Sequence, residues 1–360
     1  MRFSREIGGD NVQSVIEDGL EAEKFGYDQV WVPDHLVDVQ PVFAIFDAWT
    51  VLAYLGAKTQ DLKLASGVTD VQRIHPAKTA NIVSTLASLA AGRAVLGIGA
   101  GEIMNTKPYG IQWEDKDIRV RRLKEYIQVV KLLWSSTFEE SVSFKGEFYS
   151  LDHAHLSLPT KKPHPRIYVG SFSSKSTLRV AGEVADGWYP GSLNTVESFK
   201  EKANIAKDAA TSAGRSPEEL DLVANVPTLV VMNESETKSL REVAKQAIKA
   251  QMISNRYIFK VLGISDEKFV QRELEYQHAT PGPRFEKTME SVLGSLQLDD
   301  EKLEHAVDRV FAFGSRERCL NTIQKFIDAG ATQIFFSNIG ASKETYSRIS
   351  KEIIPSLKRV

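Results

Sequence analysis

The chain alternates regularly between short apolar runs and longer amphipathic segments. The apolar runs are nearly continuous, which is typical of parallel strands covered on both faces. The segments between them carry apolar residues at helical spacing, as at Val15, Ile16 and Leu20. The predicted strands are residues 1–7, 27–33, 62–68, 94–98, 166–170, 186–190, 222–232 and 332–338. The predicted helices are residues 12–25, 47–59, 76–90, 115–134, 174–184, 196–213, 316–329 and 343–357.

This alternation predicts an α/β fold with a parallel sheet and right-handed crossovers. Eight strand–helix units close into a (β/α)₈ TIM barrel, and an open doubly wound sheet is the alternative. Two segments interrupt the rhythm: a hairpin at 138–151 and a mostly helical, charged insertion at about 234–306. We therefore expect a single domain, residues 1–360, built as a TIM barrel with insertions.

The fourth predicted strand ends in small residues and a carboxylate. Glycines at a strand's end allow a tight turn and the close approach of a flat ligand. An acid there lies where barrel enzymes place their active sites, although a plain turn with a solvated carboxylate is the other interpretation. The stretch resembles a dinucleotide-binding fingerprint, but the chain contains no GxGxxG fingerprint followed by an acid about 20 residues on, and the acid directly after the third glycine would repel a pyrophosphate. The residues in question are Gly97, Gly99, Ala100, Gly101, Glu102 and Asn105.

Composition and charge exclude several classes of protein. The 360 residues carry a formal net charge of −2 without a basic stripe, so we expect neither nucleic acid nor an anionic membrane as a partner. One cysteine, Cys319, excludes an internal disulfide and a cysteine-based metal site. The first residues have no apolar signal-peptide core, and no apolar run has the length of a bilayer span. We expect a cytoplasmic protein.

In a barrel the informative residues follow the strands' C-terminal ends. One histidine and several carboxylates converging on one mouth form a plausible acid–base set, whereas a single histidine at a strand end is more often structural. The strand-end residues are Glu6, Asp34, His35, Gly67, Val68, Thr69, Asp70, Glu102, Asn105, Gly170, Ser171, Ser173, Ser174, Ser337 and Asn338.

The sequence contains candidates for two other kinds of site, a metal site and a phosphate site. His153 and His155 form an HxH pair of the kind that binds zinc, but no third ligand follows by spacing, and we predict no metal. The serines from Ser171 to Ser174 open a helix directly after the fifth strand, where backbone N–H groups can bind phosphate. An ordinary serine N-cap explains the same residues equally well.

Several longer blocks together resemble one family over nearly the whole chain. They are AEKFGYDQVWVPDH (22–35), ASGVTDVQRIHPAKTA (65–80), LAAGRAVLGIGAGE (89–102), GIQW (110–113), AGEVADGWYP (181–190) and FGSRERCLNTIQKFIDAGATQIFFS (313–337). These blocks resemble the bacterial-luciferase-like superfamily, specifically its branch that uses the deazaflavin coenzyme F420. The resemblance implies a TIM barrel with a flavin at its C-terminal mouth, in a homodimer or higher homo-oligomer.

The closest likeness is to the methylenetetrahydromethanopterin reductases. Their active-site glutamate falls on Glu6, and their non-prolyl cis peptide, which backs the deazaflavin ring, falls on Gly67–Val68. Two other positions resemble the F420-dependent alcohol and glucose-6-phosphate dehydrogenases, whose proton-transfer histidine and glutamate match His35 and Glu102. The sugar-phosphate enzymes carry a threonine and a lysine where this chain has Gly191 and Asn194, which argues against a sugar phosphate.

The resemblance implies a role for each site residue. In alcohol oxidation His35 would be the base, Glu102 would handle a proton at the cofactor, and in methylene reduction Glu6 would protonate the substrate. Val68 would press on the ring. Residues implied to hold the cofactor are Asp34, Gly67, Val68, Thr69, Asp70, Ala100, Asn105, Gly170, Ser171, Ser173 and Ser174.

The expected function is hydride transfer between F420 and a small organic substrate, either an alcohol or a methylene-tetrahydromethanopterin-like molecule. An FMN-dependent monooxygenase of the same superfamily is the alternative, with FMN as the cofactor. A barrel that binds flavin without catalysis is the third possibility, and the presence of both His35 and Glu102 argues against it.

Overall fold

The computed structural model describes residues 1–37, 44–158, 160, 162–191, 193–252, 256–264 and 298–358. The strands, numbered in chain order, are β1 (Arg2–Glu6), β2 (Gln29–Val32), β3 (Lys63–Ser66), β4 (Thr69–Asp70), β5 (Ala94–Gly99), β6 (Val142–Lys145), β7 (Ser150–Ala154), β8 (Arg166–Ser171), β9 (Gly187–Pro190), β10 (Asp221–Asn225), β11 (Thr228–Val230), β12 (Ala312–Gly314) and β13 (Gln333–Phe336).

The helices are α1 (Val12–Lys24), α2 (Ala48–Lys58), α3 (Pro76–Leu89), α4 (Lys116–Trp134), α5 (Lys175–Val184), α6 (Val196–Ser212), α7 (Glu234–Gln251), α8 (Arg256–Val261), α9 (Asp300–Val310), α10 (Arg316–Asp328), α11 (Lys343–Arg348) and α12 (Ile354–Leu357). The predicted last helix contains a π-helical turn, Ile349–Ile353, immediately before Pro355. Proline has no N–H to continue the α-helical ladder, so the helix changes its hydrogen bonding there.

Eight parallel strands close into a barrel in the order β1, β2, β3, β5, β8, β9, β10 and β13. Two pairings close it, since β1 pairs with β13 from Arg2 opposite Gln333, and β3 pairs with β5 at Leu64 opposite Ala94. The TIM-barrel prediction is confirmed, and the open doubly wound alternative is wrong because the sheet has no free edge at these strands.

The seventh predicted strand, 222–232, is two strands in the structure. Pro227 separates β10 from β11 and offers no N–H to a neighbouring strand. β11 leaves the barrel and pairs in parallel with β12, from Thr228 opposite Ala312 to Val230 opposite Gly314. The prediction of one continuous strand was wrong because an apolar run does not show which neighbour it pairs with.

The predicted interruptions are visible as additions to the barrel. The hairpin is β6 and β7, antiparallel and slightly later in the chain than 138–151, so that His153 lies on β7. Within the predicted insertion, α7, α8 and α9 are helical, and residues 265–297 lie outside the described part of the chain. These helices form an apolar cluster with β11 and β12 that includes Leu229, Ile248 and Phe311.

Alternate residues of each barrel strand point inward or outward. Inward side chains form a central cluster of Trp31, Ala65, Val95, Tyr168, Val223 and Phe335. Outward side chains form the main core between barrel and helices. On β1 the same alternation places Arg2, Ser4 and Glu6 inside, which carries Glu6 to the C-terminal end of the barrel.

The N-terminal end of the barrel is closed by a charged network around Asp221. Its carboxylate forms ion pairs with Arg2 and, at 2.9 Å, with Arg166 Nε. The hydroxyl of Tyr168 donates to Asp221 Oδ2 at 2.5 Å. Asp221 is 8% exposed, and its buried negative charge is compensated by the two guanidinium groups and the tyrosine hydroxyl.

The contact between α5 and α6 depends on Gly182. A β-carbon added at this position would lie 2.0 Å from the carbonyl oxygen of Ala206 and 2.9 Å from Ala209 Cβ. We expect Gly182→Ala to lower the free energy of unfolding by about 1–3 kcal/mol, because α5 must move away from α6. Denaturant unfolding measures this, with Gly8→Ala as the control, since a β-carbon at Gly8 would meet nothing within 4 Å. Equal stability of the two variants would contradict the close packing.

Candidate active site

The C-terminal ends of the barrel strands bring most of the predicted residues to one mouth. Parallel strands in a closed barrel all end on the same side, so residues far apart in sequence become neighbours there. Glu6 is the last residue of β1, and His35 and Glu102 follow β2 and β5 at this end. Asn105 lies on a single 3₁₀ turn, Ile103–Asn105, which follows β5.

His35 is held by Asn105. The ring Nδ1 of His35 lies 2.8 Å from Asn105 Nδ2, and the backbone N–H of Leu36 donates to Asn105 Oδ1 at 2.8 Å. Glu102 Oε2 lies 3.8 Å from the same Nδ1, beyond hydrogen-bond distance. The three side chains therefore form one polar cluster, in which Asn105 is buried while Glu102 is 46% exposed and open to exchange protons with solvent.

The Asp34 carboxylate forms a hydrogen bond and an ion pair with other side chains of the protein. Its Oδ2 accepts a hydrogen bond from Thr69 Oγ1 at 2.6 Å, and its Oδ1 lies 3.2 Å from an Arg73 guanidinium nitrogen. Arg73 also donates to the backbone carbonyl of Asp34 at 2.5 Å. Arg73 was not among the predicted site residues, although it lies in the block 65–80, because a lone arginine after a strand gives no signal of its partner.

Asp70 is a buried acid beside the end of β5. Its Oδ1 accepts from the backbone N–H of Gln72 at 2.7 Å, whereas its Oδ2 has no hydrogen-bond partner among the described residues. Burial raises the pKa of Asp70, against the opposing effects of that hydrogen bond and of Arg73. Gly101, at φ +93°, gives this acid room, since a β-carbon there would lie 2.9 Å from Asp70 Oδ1.

Val68 projects between two glycines of neighbouring strands. The peptide bond Gly67–Val68 is cis, as the resemblance implied. A β-carbon at Gly99 would lie 2.9 Å from Val68 Cγ2, and one at Gly170 would lie 3.0 Å from the same atom. The glycines at these strand ends thus provide clearance for Val68 at the mouth, a role that the sequence alone did not reveal.

Glu6 and Tyr189 lie at the inner wall of the mouth. Glu6 Oε1 accepts a hydrogen bond from Asn338 Nδ2 at 2.6 Å. The Tyr189 ring packs on Trp31 with centroids 4.3 Å apart. Burial raises the pKa of the Tyr189 hydroxyl, and the nearby Glu6 carboxylate raises it further. Tyr189 was not among the predicted site residues because it lies within the predicted strand 186–190 and not after its end.

The serines after β8 have mixed positions. Ser171 is the last residue of β8, Ser173 is exposed, and Ser174 is the N-cap of α5, accepting from the backbone N–H of Thr177 at 3.3 Å. This is the ordinary capping arrangement that the sequence left open beside a phosphate site. Ala100 is half-buried after β5.

Phe172 occupies the space next to Gly191. A β-carbon at Gly191 would lie 1.9 Å from Phe172 Cδ1, so a larger residue cannot stand there without displacing the ring. Three residues further on, Asn194 Oδ1 accepts from Lys202 Nζ at 2.5 Å. Gly191 and Asn194, the two positions that differ from the sugar-phosphate enzymes, therefore already contact other residues of this protein.

The buried Lys202 gives a prediction about pH. Burial lowers its pKa to about 8 from an ordinary value of 10.5, so between these values the folded protein binds fewer protons than the unfolded chain. The free energy of unfolding should therefore rise from pH 8 towards pH 10.5, relative to a Lys202→Met variant, by about 1–3 kcal/mol. Denaturant unfolding of both proteins at pH 7 and pH 10 measures the change in their difference. Lys200→Met, on an exposed position of the same helix, is the control; a pH-independent difference for Lys202→Met would contradict the prediction.

Two negative findings concern the described residues. None of them form a group of three or more His, Cys, Asp and Glu side chains arranged to hold a metal ion. No helix in the described ranges has both the length and the apolar character needed to cross a bilayer.

Comparison with known proteins gives concordant matches. F420-dependent glucose-6-phosphate dehydrogenase from Microbacterium testaceum is 26% identical, over 96% of this chain and 93% of its own length. The 5,10-methylenetetrahydromethanopterin reductase from Archaeoglobus fulgidus is 28% identical, over 94% of this chain and 93% of its own. Among solved structures, an F420-dependent secondary alcohol dehydrogenase in complex with an F420–acetone adduct superposes with a TM-score of 0.75. That pair is 18% identical, with 98% of each chain covered, and shows the shared fold.

The family comparison covers most of the chain. Residues 4–333 match the model of the luciferase-like monooxygenase family. The matched segment begins within β1 and ends at the first residue of β13, so it contains most of the barrel together with Glu6, His35 and Glu102. The chain therefore belongs to the luciferase-like monooxygenase family, a family of enzymes whose curated members similar to this chain include F420-dependent oxidoreductases.

Proposed function

We propose that this protein is an F420-dependent oxidoreductase that transfers a hydride between the deazaflavin and a small organic substrate. The observation that carries the proposal is the cluster of His35, Asn105 and Glu102 at the barrel mouth. It occurs in a chain whose full-length relatives at 26% and 28% identity are named for F420 and for methylenetetrahydromethanopterin.

The mouth fits a planar heterocycle with a hydrogen-bonding edge. Asp70 Oδ2, Gln72 Oε1 and Ser337 Oγ are buried polar atoms without a hydrogen-bond partner among the described residues, although Arg73 Nε lies 3.7 Å from Asp70 Oδ2. Buried polar atoms are normally satisfied, so these atoms favour a ligand with N–H and hydroxyl groups. When bound, the deazaflavin supplies or accepts a hydride at its C5.

The chain's own residues would divide the remaining work. Asp34, Thr69, Asp70 and Asn105 would hold the cofactor, with Val68 against its ring and the segment Gly170–Ser174 near its phosphate. Gly67 would leave room for the bend that aims Val68, and Ala100 would line the approach. His35, Glu102 and Glu6 would act on the reacting groups of the substrate, since they are the titratable side chains that the mouth presents around Asn105 and Asn338.

The substrate class is narrowed by Phe172. The positions comparable to the sugar-phosphate enzymes' threonine and lysine are Gly191 and Asn194, and Phe172 lies against Gly191. An aromatic ring cannot bind a phosphate dianion by charge, so we favour an alcohol or carbonyl compound, or a methylene-pterin, over glucose 6-phosphate.

A titration followed by a substrate screen tests the proposal. Purified protein is titrated with F420 and, separately, with FMN, and binding is followed by fluorescence. F420 is expected to bind and to be reduced or oxidised with secondary alcohols, ketones or methylene-tetrahydromethanopterin, while glucose 6-phosphate gives no turnover. Binding of FMN alone, with oxygen consumption, would establish the monooxygenase alternative that the family's name suggests. Binding without turnover of any substrate would favour a non-catalytic barrel.

The cellular setting and assembly follow from the same proposal. We propose a cytoplasmic homodimer or higher homo-oligomer that acts on a small molecule, without nucleic acid or membrane partners. Light scattering of the purified protein tests the assembly, and a monomeric mass would contradict it.

A further inference from the structure

The amide of Asn105 has only one orientation that satisfies its surroundings. A backbone N–H can only donate, so the Leu36 N–H, 2.8 Å away, must face the amide oxygen Oδ1. The NH₂ group is thereby turned towards His35 Nδ1, also at 2.8 Å. The reverse orientation would place the NH₂ group against the Leu36 N–H, so two donors would face each other beside a side chain that is 2% exposed, and a buried donor without an acceptor costs about 1–3 kcal/mol.

This orientation decides where His35 carries its hydrogen. Because Asn105 Nδ2 offers only hydrogens, His35 Nδ1 must offer its lone pair. A neutral imidazole with a lone pair on Nδ1 carries its hydrogen on Nε2. A hydrogen on Nδ1 would set N–H against N–H at this contact. Glu102 Oε2, 3.8 Å from Nδ1, lies beyond hydrogen-bond distance and does not offer Nδ1 another acceptor.

We propose that Asn105 is a positioning residue that fixes His35 as the neutral Nε2–H tautomer, so that His35 acts on the substrate as a hydrogen-bond donor. His35 Nε2 has no partner among the described residues, which leaves its N–H for a ligand. This revises the expectation that His35 is the proton-accepting base, because the nitrogen available to substrate already carries a hydrogen. The role of His35 towards a substrate rests on the proposed function, whereas the tautomer of His35 is argued from its contact with Asn105 alone.

The reaction then divides between two groups. In carbonyl reduction the bound deazaflavin would supply the hydride to the substrate carbon, and the His35 Nε2–H would stabilise the negative charge that develops on the oxygen. The proton that completes the hydroxyl would come from Glu102, which is 46% exposed and can take up a proton from solvent. In the reverse direction the deazaflavin would accept the hydride, and the Glu102 carboxylate would accept the hydroxyl proton. His35 would keep its Nε2 hydrogen in both directions.

The experiment is a direct observation of the tautomer. Protein with ¹⁵N-labelled histidine is examined at pH 8 by long-range ¹H–¹⁵N correlation, without cofactor, and the His35 signals are assigned by their loss in His35→Gln. The expected result is an unprotonated Nδ1 and a protonated Nε2. A protonated Nδ1, or an even mixture of tautomers, would overturn the inference, and this result needs no variant of Asn105 to fold.

Asn105→Asp supplies the second arm. A carboxylate can accept both from the Leu36 N–H and from His35, so His35 is expected to carry a hydrogen on Nδ1 in this variant. Asn11→Asp is the matched control, since Asn11 caps α1 on the surface and aspartate caps equally well; it should leave the His35 signals unchanged.

Activity then separates the two proposals. With F420 and a substrate found in the screen, Asn105→Asp is expected to lower kcat for carbonyl reduction about tenfold or more. If the protein shows no F420 activity at all, the proposed function fails while the tautomer stands. If F420 activity is normal but Nδ1 carries the hydrogen, the inference about Asn105 fails while the function stands.

Discussion

His35→Ala is expected to lower kcat/KM for hydride transfer by about 10²- to 10³-fold, while F420 affinity changes by only a few-fold. This is the loss seen when one preorganised donor to a developing oxyanion is removed from an enclosed site. The donor in question is the Nε2–H of a ring that is only 24% exposed and is fixed through Nδ1 by Asn105. Water that fills the space left by the ring would have to reorient during the reaction, whereas the imidazole is already fixed in place.

The measurement is steady-state kinetics on the unsubstituted protein and on His35→Ala, with F420 binding measured separately by fluorescence titration. His153→Ala is the control, because His153 lies on the hairpin strand β7 with its side chain 82% exposed. Glu102→Gln belongs to the same series and should reduce turnover through loss of the exchangeable proton. If His35→Ala and Glu102→Gln both left activity and cofactor affinity unchanged, the catalytic assignment would be wrong.

Asp221→Ala is expected to lower the free energy of unfolding by about 1–3 kcal/mol, because it leaves the buried Tyr168 hydroxyl and two partly exposed guanidinium groups without their acceptor. Asp221 closes the N-terminal end of the barrel through Arg2, Arg166 and Tyr168. Its loss leaves two guanidinium groups close together without their carboxylate, and burial already raises the pKa of the Tyr168 hydroxyl. Because β10 starts at Asp221, the pairing of β10 with β9 at Gly187 should weaken as well.

Denaturant unfolding of Asp221→Ala tests this expectation, with Glu147→Ala as the control. Glu147 forms an ion pair with Arg121 at 2.8 Å in which both side chains are about half exposed, and such solvent-exposed pairs contribute little to stability. A loss of stability in Asp221→Ala no larger than in Glu147→Ala would contradict the buried network. Because Asp221 lies at the end of the barrel opposite to the mouth, the folded variant should retain its affinity for F420.

Much of the architecture could be predicted because it depends on local pattern. Strands and helices follow from the periodicity of apolar residues, and a closed barrel follows from eight alternating units. The strand ends then identify the mouth, and with it Glu6, His35 and Glu102. The family resemblance added the cis peptide at Gly67–Val68, which the structure contains.

Other features depended on pairings between residues distant in sequence. The run 222–232 divides at Pro227 because β11 pairs with β12, some 80 residues later. The local sequence does not predict that pairing. Arg73 is a site residue only because Asp34 lies within its reach, and Tyr189 only because Trp31 lies beneath its ring.

The sequence by itself determined which residues reach the mouth of the barrel, because strand ends are set by local hydrophobic pattern and by the positions of glycines and acids. Only the tertiary structure decided what those residues can do. His35 and Asn105 are 70 residues apart, and their chemistry depends on a third group, the Leu36 N–H, that fixes the direction of one amide. Hydrogen-bond direction is a property of atoms in contact, and it becomes defined only when the folded chain brings those atoms within 3 Å of each other.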